Sequence, residues 1–238
     1  MKAVVALLVR TVICALAAVG LYLGSVLVYA VVEEDLANAA QRRELAPDRA
    51  DIINTEKAHW QAAAGAWRLV GFAGRAAEAE ARSALAGAAD EGAQRQIQTA
   101  RIKAALALRP TRSDLWFELA QLQLLDEATL SPVLSSLAMA QLTAPREVEP
   151  ALARTLLMLQ SWARIQSLAA SAEEVETLRN AVVQDIASAR LGYTPFEFNM
   201  VRTAFAALPP EDRAGFRDAL VGRMGEAVAN SFIPQPSS

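Results

Sequence analysis

The residues best suited to chemistry are few, because the chain has one histidine, one cysteine and two small carboxylate clusters. His59 has no second histidine or nearby cysteine with which to form a metal site or a nucleophile–base pair. A lone histidine on a helix is typical of a surface or packing position, so we expect no catalytic role for it. Cys14 lies within an apolar run, which leaves the remaining chain without disulfide or thiol chemistry.

The carboxylates are also explained without catalysis. Residues 173–176 include three glutamates at a predicted helix start, where the helix dipole favours negative charge. The acidic residues 33–35 follow the apolar segment and are interpreted as a solvated boundary at a membrane. Neither spacing distinguishes a hydrolytic pair from a charged helix surface, and the sequence has no Gly-rich phosphate loop and no G-x-S-x-G. We therefore expect no catalytic, cofactor-binding or metal-binding residues.

The elements that carry these residues are predicted to be helices. The composition is 53% hydrophobic but only 6% aromatic, so alanine and leucine must fill the core. Both are strong helix formers, whereas the β-branched and aromatic residues that favour strands are sparse. No stretch alternates strictly between apolar and polar residues, and the sequence therefore predicts an all-α fold.

Residues 11–32 form an uncharged run long enough to cross a bilayer, since about 20 apolar residues suffice. Lys2 and Arg10 precede the run, which places residues 1–10 in the cytoplasm and the rest of the chain outside. A cleaved signal peptide ending near Ala30 is the alternative, but its apolar region is usually only about 7 to 15 residues long. We therefore expect an uncleaved single-pass anchor in a bacterial inner membrane.

Ala17, Gly20 and Gly24 place small residues along one face of this predicted membrane helix. Such a G-x-x-x-G spacing allows two helices to approach closely, so these are the candidate residues for a homodimer. The alternative is that glycine is simply common in membrane helices. The net charge of −3 at pH 7 argues against nucleic acid as a partner.

Proline and capping residues indicate where the later helices begin. Helix starts are predicted at Ser131-Pro132, at Glu149-Pro150 and at Pro209-Pro210, with capping boxes beginning at Ser171 and Thr194. We expect eight or nine helices of roughly 10 to 20 residues after the anchor. The predicted segments are a juxtamembrane linker at 33–54, a helical periplasmic domain at 55–232 and a disordered tail at 233–238.

The stretch from 102 to 145 contains a repeat-like spacing. Trp116, Leu119 and Ala120 share one helical face, and Pro110 and Pro145 each end a helix. Large and small residues recur at the same distance before each proline, namely Ile102 and Ala105, then Leu137 and Ala140.

This spacing resembles the tetratricopeptide repeat, a helical hairpin of about 34 residues. The two prolines are 35 residues apart, Gln123 occupies the place of an aromatic, and nothing after Pro145 keeps the pattern. The resemblance implies an array of antiparallel helical hairpins, although a compact bundle remains an alternative.

The predicted function is that of a membrane-anchored scaffold that holds another envelope protein. In layout the chain is similar to tetratricopeptide-like accessory factors of protein translocation, cytochrome maturation and surface-polysaccharide assembly, and we favour the last of these. One alternative is a structural subunit that is buried in a membrane complex. Another is a periplasmic ligand-binding protein or enzyme, which would need a deep pocket.

Overall fold

The computed structural model describes residues 2–41, 49–86, 92–126 and 129–233. Over these residues the fold is all-α, as predicted, with twelve α-helices, a short 3-10 turn at Arg190–Gly192 and no strand. The helices are α1 (Lys2–Gln41), α2 (Arg49–Leu69), α3 (Ala73–Ala86), α4 (Gly92–Leu108), α5 (Ser113–Asp126), α6 (Ser131–Thr143), α7 (Val148–Gln160), α8 (Trp162–Leu168), α9 (Ala172–Ala189), α10 (Pro195–Ala206), α11 (Pro210–Met224) and α12 (Glu226–Phe232).

The chain forms two compact units, one from Met1 to Pro110 and the other from Thr111 to Ser238. This differs from the predicted single domain over 55–232. The predicted linker at 33–54 also differs from the structure, because residues 33–41 belong to α1 and residues 49–54 belong to α2. Residues 42–48 of that linker lie outside the described residues.

Unit 1 is a meander in which α1 packs on α2, α2 on α3 and α3 on α4. Its core combines Trp60 and Trp67 with buried alanines from three helices, Ala30 and Ala37 of α1 among them. Alanine permits a close approach of neighbouring helix axes, and the two indole rings fill the remaining space. Gly71, with a φ of 81°, reverses the chain between α2 and α3.

Among the described residues, one helix is long and apolar enough to cross a membrane, namely α1. Its candidate span runs from Val12 to Ala40, with a mean hydropathy of 2.2 in its most apolar window. Ala17, Gly20 and Gly24 are exposed on this helix, and a Cβ placed at either glycine would contact nothing within 4 Å. The face is therefore accessible, and the homodimer stays a prediction.

Unit 2 begins with a hairpin of α5 and α6 and continues with further packed helices. Helix α7 packs on α9 and α10, and α11 packs on α9 and α12, so the contacts are not limited to sequential neighbours. Contacts between helices two or three positions apart occur in a compact bundle and also between neighbouring two-helix repeats, so this part of the unit fits both predicted architectures. Four large aromatic side chains from different helices are fully buried in its core: Trp162, Phe205, Phe216 and Phe232.

Capping residues and prolines correctly predicted where several helices begin. The Thr194 capping box is present in full, and α6 begins at Ser131 with Pro132 in its first turn. At Ser171 the hydroxyl accepts from the Glu174 amide as expected, but the Glu174 carboxylate accepts from the Ala170 amide instead of completing the box.

Nine of the helices that follow α1 in the described residues are 12 to 21 residues long, which agrees with the predicted eight or nine, but two details of the helical domain differ from the prediction. Eleven helices follow α1 in the described residues, because α8 and α12 add two helices of seven residues each. Ile233, the first residue of the predicted tail, is buried in the core of unit 2. Residues 234–238 of that tail lie outside the described residues.

Candidate functional site

The repeat-like residues fall in both units. In unit 1, Ile102 and Ala105 are fully buried on α4, which packs on α3, and Pro110 follows the end of that helix. In unit 2, Leu119 and Ala120 of α5 and Leu137 and Ala140 of α6 are buried in a hairpin. Trp116 is half-buried and Pro145 is exposed beyond the end of α6.

The α5–α6 hairpin explains one departure from the repeat pattern. Gln123, which stands in the place of an aromatic residue, is buried and accepts a hydrogen bond of 2.7 Å from the Ser136 hydroxyl. A polar pair thus joins the two helices where an aromatic side chain would otherwise fill the space. Because both groups have a partner, the pair does not carry the cost of an unsatisfied buried polar group.

A surface groove runs between α5 and α7, the first helix of the hairpin and the helix that follows the hairpin. Its cavity volume is about 520 Å³. We call it the α5–α7 groove, and it is lined by Thr111, Arg112, Ser113, Asp114, Phe117, Thr143, Glu147, Glu149, Pro150 and Ala153. In a repeat-like array, successive first helices line the concave face, so this groove is the surface on which the resemblance predicts binding.

The groove combines an apolar patch with an acidic edge. Phe117, Pro150 and Ala153 contribute the apolar surface. Arg112 donates to both oxygens of the Asp114 carboxylate, at 2.9 and 2.6 Å, so these two charges form an ion pair.

The charge that remains in the groove is negative. Glu147 and Glu149 are exposed, and neither has an ion-pair partner in the part of the chain that the structure describes. Three carboxylates against one guanidinium give the groove an excess of two negative charges. It therefore favours a ligand that brings positive charge.

A buried ion pair fixes α7 against the neighbouring helices. Arg154 of α7 and Asp185 of α9 are each 1% exposed. The guanidinium donates to both Asp185 oxygens, at 2.9 and 2.7 Å, and also to the Ala140 and Ala144 carbonyls at the end of α6. Gln141 of α6 adds a further donor to Asp185. The network joins α6, α7 and α9, and it thereby sets the position of one wall of the α5–α7 groove.

Burial dominates the electrostatics of this network. It raises the pKa of Asp185, while the hydrogen bonds from Arg154 and Gln141 act in the opposite direction. Burial and the negative charge of Asp185 also raise the pKa of Tyr193 to about 12. The Tyr193 phenol therefore stays neutral over the physiological pH range.

Neither member of the buried pair was singled out from the sequence. A usable signal existed, since Arg154 and Asp185 are single charges on otherwise apolar helix faces. Long charged residues are rarely buried unless they are paired, so two such charges on separate buried faces suggest each other as partners. Their separation by 31 positions hides that partnership from any local motif.

A second polar network lies in unit 1, where α1 meets α2. Glu33 accepts a hydrogen bond of 2.6 Å from the His59 ring, Glu34 accepts from the Trp67 indole, and Arg75 lies 3.4 Å from Glu34. The interpretation of residues 33–35 as a solvated boundary was therefore wrong for the two glutamates, whose side chains are only 12% and 17% exposed. The acids hold α2 and α3 against the end of the apolar helix.

Among the described residues, no three His, Cys, Asp or Glu side chains are grouped to hold a metal ion. His59 pairs with the carboxylate of Glu33.

Protein-family models, curated proteins and solved structures contain no match to this chain. The likeness to a tetratricopeptide repeat therefore rests only on the residue spacing and hairpin geometry given above.

Proposed function

We propose that the protein is a membrane-anchored scaffold whose α5–α7 groove holds a segment of another cell-envelope protein. The observation that carries this proposal is the groove itself, which places apolar surface beside two carboxylates that lack an ion-pair partner in the described part of the chain. Its volume of about 520 Å³ lies within the roughly 300 to 1,000 Å³ typical of ligand sites. Binding through such a surface requires no catalytic residue.

The charge of the groove defines the chemistry of the partner. A partner segment with lysine or arginine side chains would face Glu147 and Glu149, and an apolar side chain of the same segment would contact Phe117. The carboxylates are exposed, so each contributes up to about 1 kcal/mol to the affinity, mainly through the association rate, and both add selectivity between partners. The apolar contact contributes most of the affinity.

The anchor supplies the location. Helix α1 holds the protein at a bilayer, and the basic residues Lys2 and Arg10 favour a cytoplasmic N-terminus. The helices that follow α1 then lie on the periplasmic side of a bacterial inner membrane. An anchored scaffold of this layout suits the assembly of an envelope machine. Among such machines we favour surface-polysaccharide assembly, on the resemblance of layout alone.

Site-specific photo-crosslinking in native membranes tests the proposal. A photoreactive phenylalanine analogue replaces Phe117 in the full-length chain, and mass spectrometry identifies the crosslinked peptide. The matched control carries the analogue at Phe196, an exposed aromatic side chain of unit 2 outside the groove.

The proposal predicts one dominant crosslinked protein at position 117, with a basic contact segment, that is absent at position 196. The crosslink should weaken when Glu147 and Glu149 are both changed to glutamine. Equal crosslinking at the two positions, or a contact segment rich in acidic residues, would contradict it.

A further inference from the structure

We infer that the turn between α2 and α3, residues 69–72, is a second membrane contact that inserts into the bilayer surface beside α1. This inference rests on the proposed anchoring by α1, and it adds a lipid-binding surface at a separate place in unit 1. The partner of this surface is the lipid bilayer itself, because the packing of unit 1 places the turn next to the apolar part of α1.

The packing of α1 on α2 determines which part of α1 lies at the same membrane depth as the turn. The two consecutive helices form a hairpin, in which Glu33 pairs with His59 and Glu34 with Trp67. Farther along the hairpin, Val26 of α1 and Val70 of the turn both pack against the cluster that contains Ala30 and Trp67. Because both valines pack against this cluster, we place the turn near the depth of Val26, within the predicted membrane segment 11–32.

The rise of the helix gives the depth of that level. From Arg10 to Ala30 is 20 residues, which at about 1.5 Å per residue spans about 30 Å, the thickness of the hydrocarbon core. With Arg10 at one boundary, Ala30 marks the other boundary. Val26 then lies about 6 Å inside it, within the roughly 5 to 10 Å at which interfacial segments are buried.

The side chains of the turn suit this depth. Leu69 is 64% exposed and Phe72 is 52% exposed. A turn that faces water has no need of large apolar side chains at such positions, whereas a turn that enters a bilayer does. Phe72 is held edge-on against Trp67, at a centroid distance of 5.6 Å. Tyr29, exposed on α1 near the same level, adds an aromatic side chain of the kind that is enriched at membrane interfaces.

The flanking cations are compatible with the interface. Arg68 is paired with Glu80, and Arg75 is paired with Glu34 and stacks over the Trp67 ring at 4.4 Å. Paired arginines on long side chains can keep their charged ends at headgroup level while their methylene groups lie along apolar surface.

A depth measurement on the full-length chain tests this inference. Cys14 is the sole cysteine, so Cys14→Ala provides a background for single labels on the variants Phe72→Cys, Leu21→Cys and Asn54→Cys. Each variant is labelled with an environment-sensitive fluorophore and reconstituted in vesicles of phosphatidylcholine and phosphatidylglycerol. Lipids with a spin label at shallow or deep acyl positions then act as quenchers.

The two other positions are the controls. Leu21 is exposed on the apolar part of α1 and reports whether the anchor is inserted. Asn54 is exposed on α2, about 15 residues or 22 Å along the helix from the turn. It reports the quenching expected for a position of the same unit that lies in water.

The inference predicts that shallow quenchers reduce the signal at position 72 at least threefold more than the signal at position 54. Strong quenching at position 21 with none at position 72 would overturn the inference and leave the anchor intact. Absence of quenching at position 21 would overturn the anchoring as well, and the proposed location of the scaffold with it.

Discussion

The Arg154–Asp185 pair allows a quantitative test of what holds unit 2 together. Replacing Arg154 with methionine keeps most of the side-chain volume but removes four donated hydrogen bonds, two of them to the Asp185 carboxylate. The acid would then stay buried without its cation. Loss of one member of a buried pair costs about 3 to 5 kcal/mol.

Amide hydrogen exchange measured by mass spectrometry suits a chain with two units, because it reports stability segment by segment. A loss of 3 to 5 kcal/mol corresponds to exchange that is roughly 10² to 10³·⁵ times faster. We expect this acceleration in α7 and α9, where the two partners reside, and no change in α2 and α3 of unit 1.

The matched control replaces both partners with leucine. A buried ion pair can often be exchanged for apolar residues at little net cost, so the double variant Arg154→Leu/Asp185→Leu should exchange within about tenfold of the wild type. An Arg154→Met effect below about tenfold would refute the reasoning. A double variant that exchanges faster than the single variant would refute it too.

Two further predictions concern unit 2. Because the pKa of Tyr193 is about 12 in the folded chain and about 10 when unfolded, the folded state keeps its proton longer, so the free energy of unfolding should fall as pH rises from 10 to 12. Tyr193 as a whole is partly exposed, which limits this fall to about 1 kcal/mol, and urea unfolding at pH 8 and pH 11 should show it in the wild type but not in Tyr193→Phe. Gly192→Ala should lower the melting temperature, since its Cβ would lie 2.5 Å from Val148 Cγ2, whereas Gly222→Ala, with open space in α11, should raise it slightly. If calorimetry gave both variants the same change in melting temperature, the contact with Val148 would not explain the effect of Gly192→Ala.

Features set by neighbouring residues were predictable from the sequence. The capping box at Thr194 uses atoms that are only three residues apart, and the proline near the start of α6 acts within its own turn. Short-range chemistry of this kind does not depend on which helices later pack together.

Features set by distant residues were not predictable. Glu33 and Glu34 follow an apolar run and were interpreted as solvated, yet α2 and α3 bring His59, Trp67 and Arg75 to them. Their burial depends on which face of α2 meets α1, and no residue near position 33 determines that.

The repeat-like spacing gives a related lesson. It predicts that helices will reverse at Pro110 and Pro145, and α4 and α6 do end just before these prolines. The spacing does not identify which helices share a core. Ile102 and Ala105 belong to one compact unit, whereas Leu119 and Ala120 belong to the other.

The most direct test of the scaffold is the affinity of the α5–α7 groove for the partner segment that crosslinks at Phe117, made as a labelled peptide. Fluorescence anisotropy would compare the wild type with the double variant Glu147→Gln/Glu149→Gln, using Glu173→Gln as an exposed carboxylate outside the groove. Two exposed ion pairs of up to about 1 kcal/mol each predict a Kd that is roughly tenfold weaker for the double variant, with Glu173→Gln unchanged. An unchanged Kd in the double variant, or an equal loss in Glu173→Gln, would contradict binding in this groove.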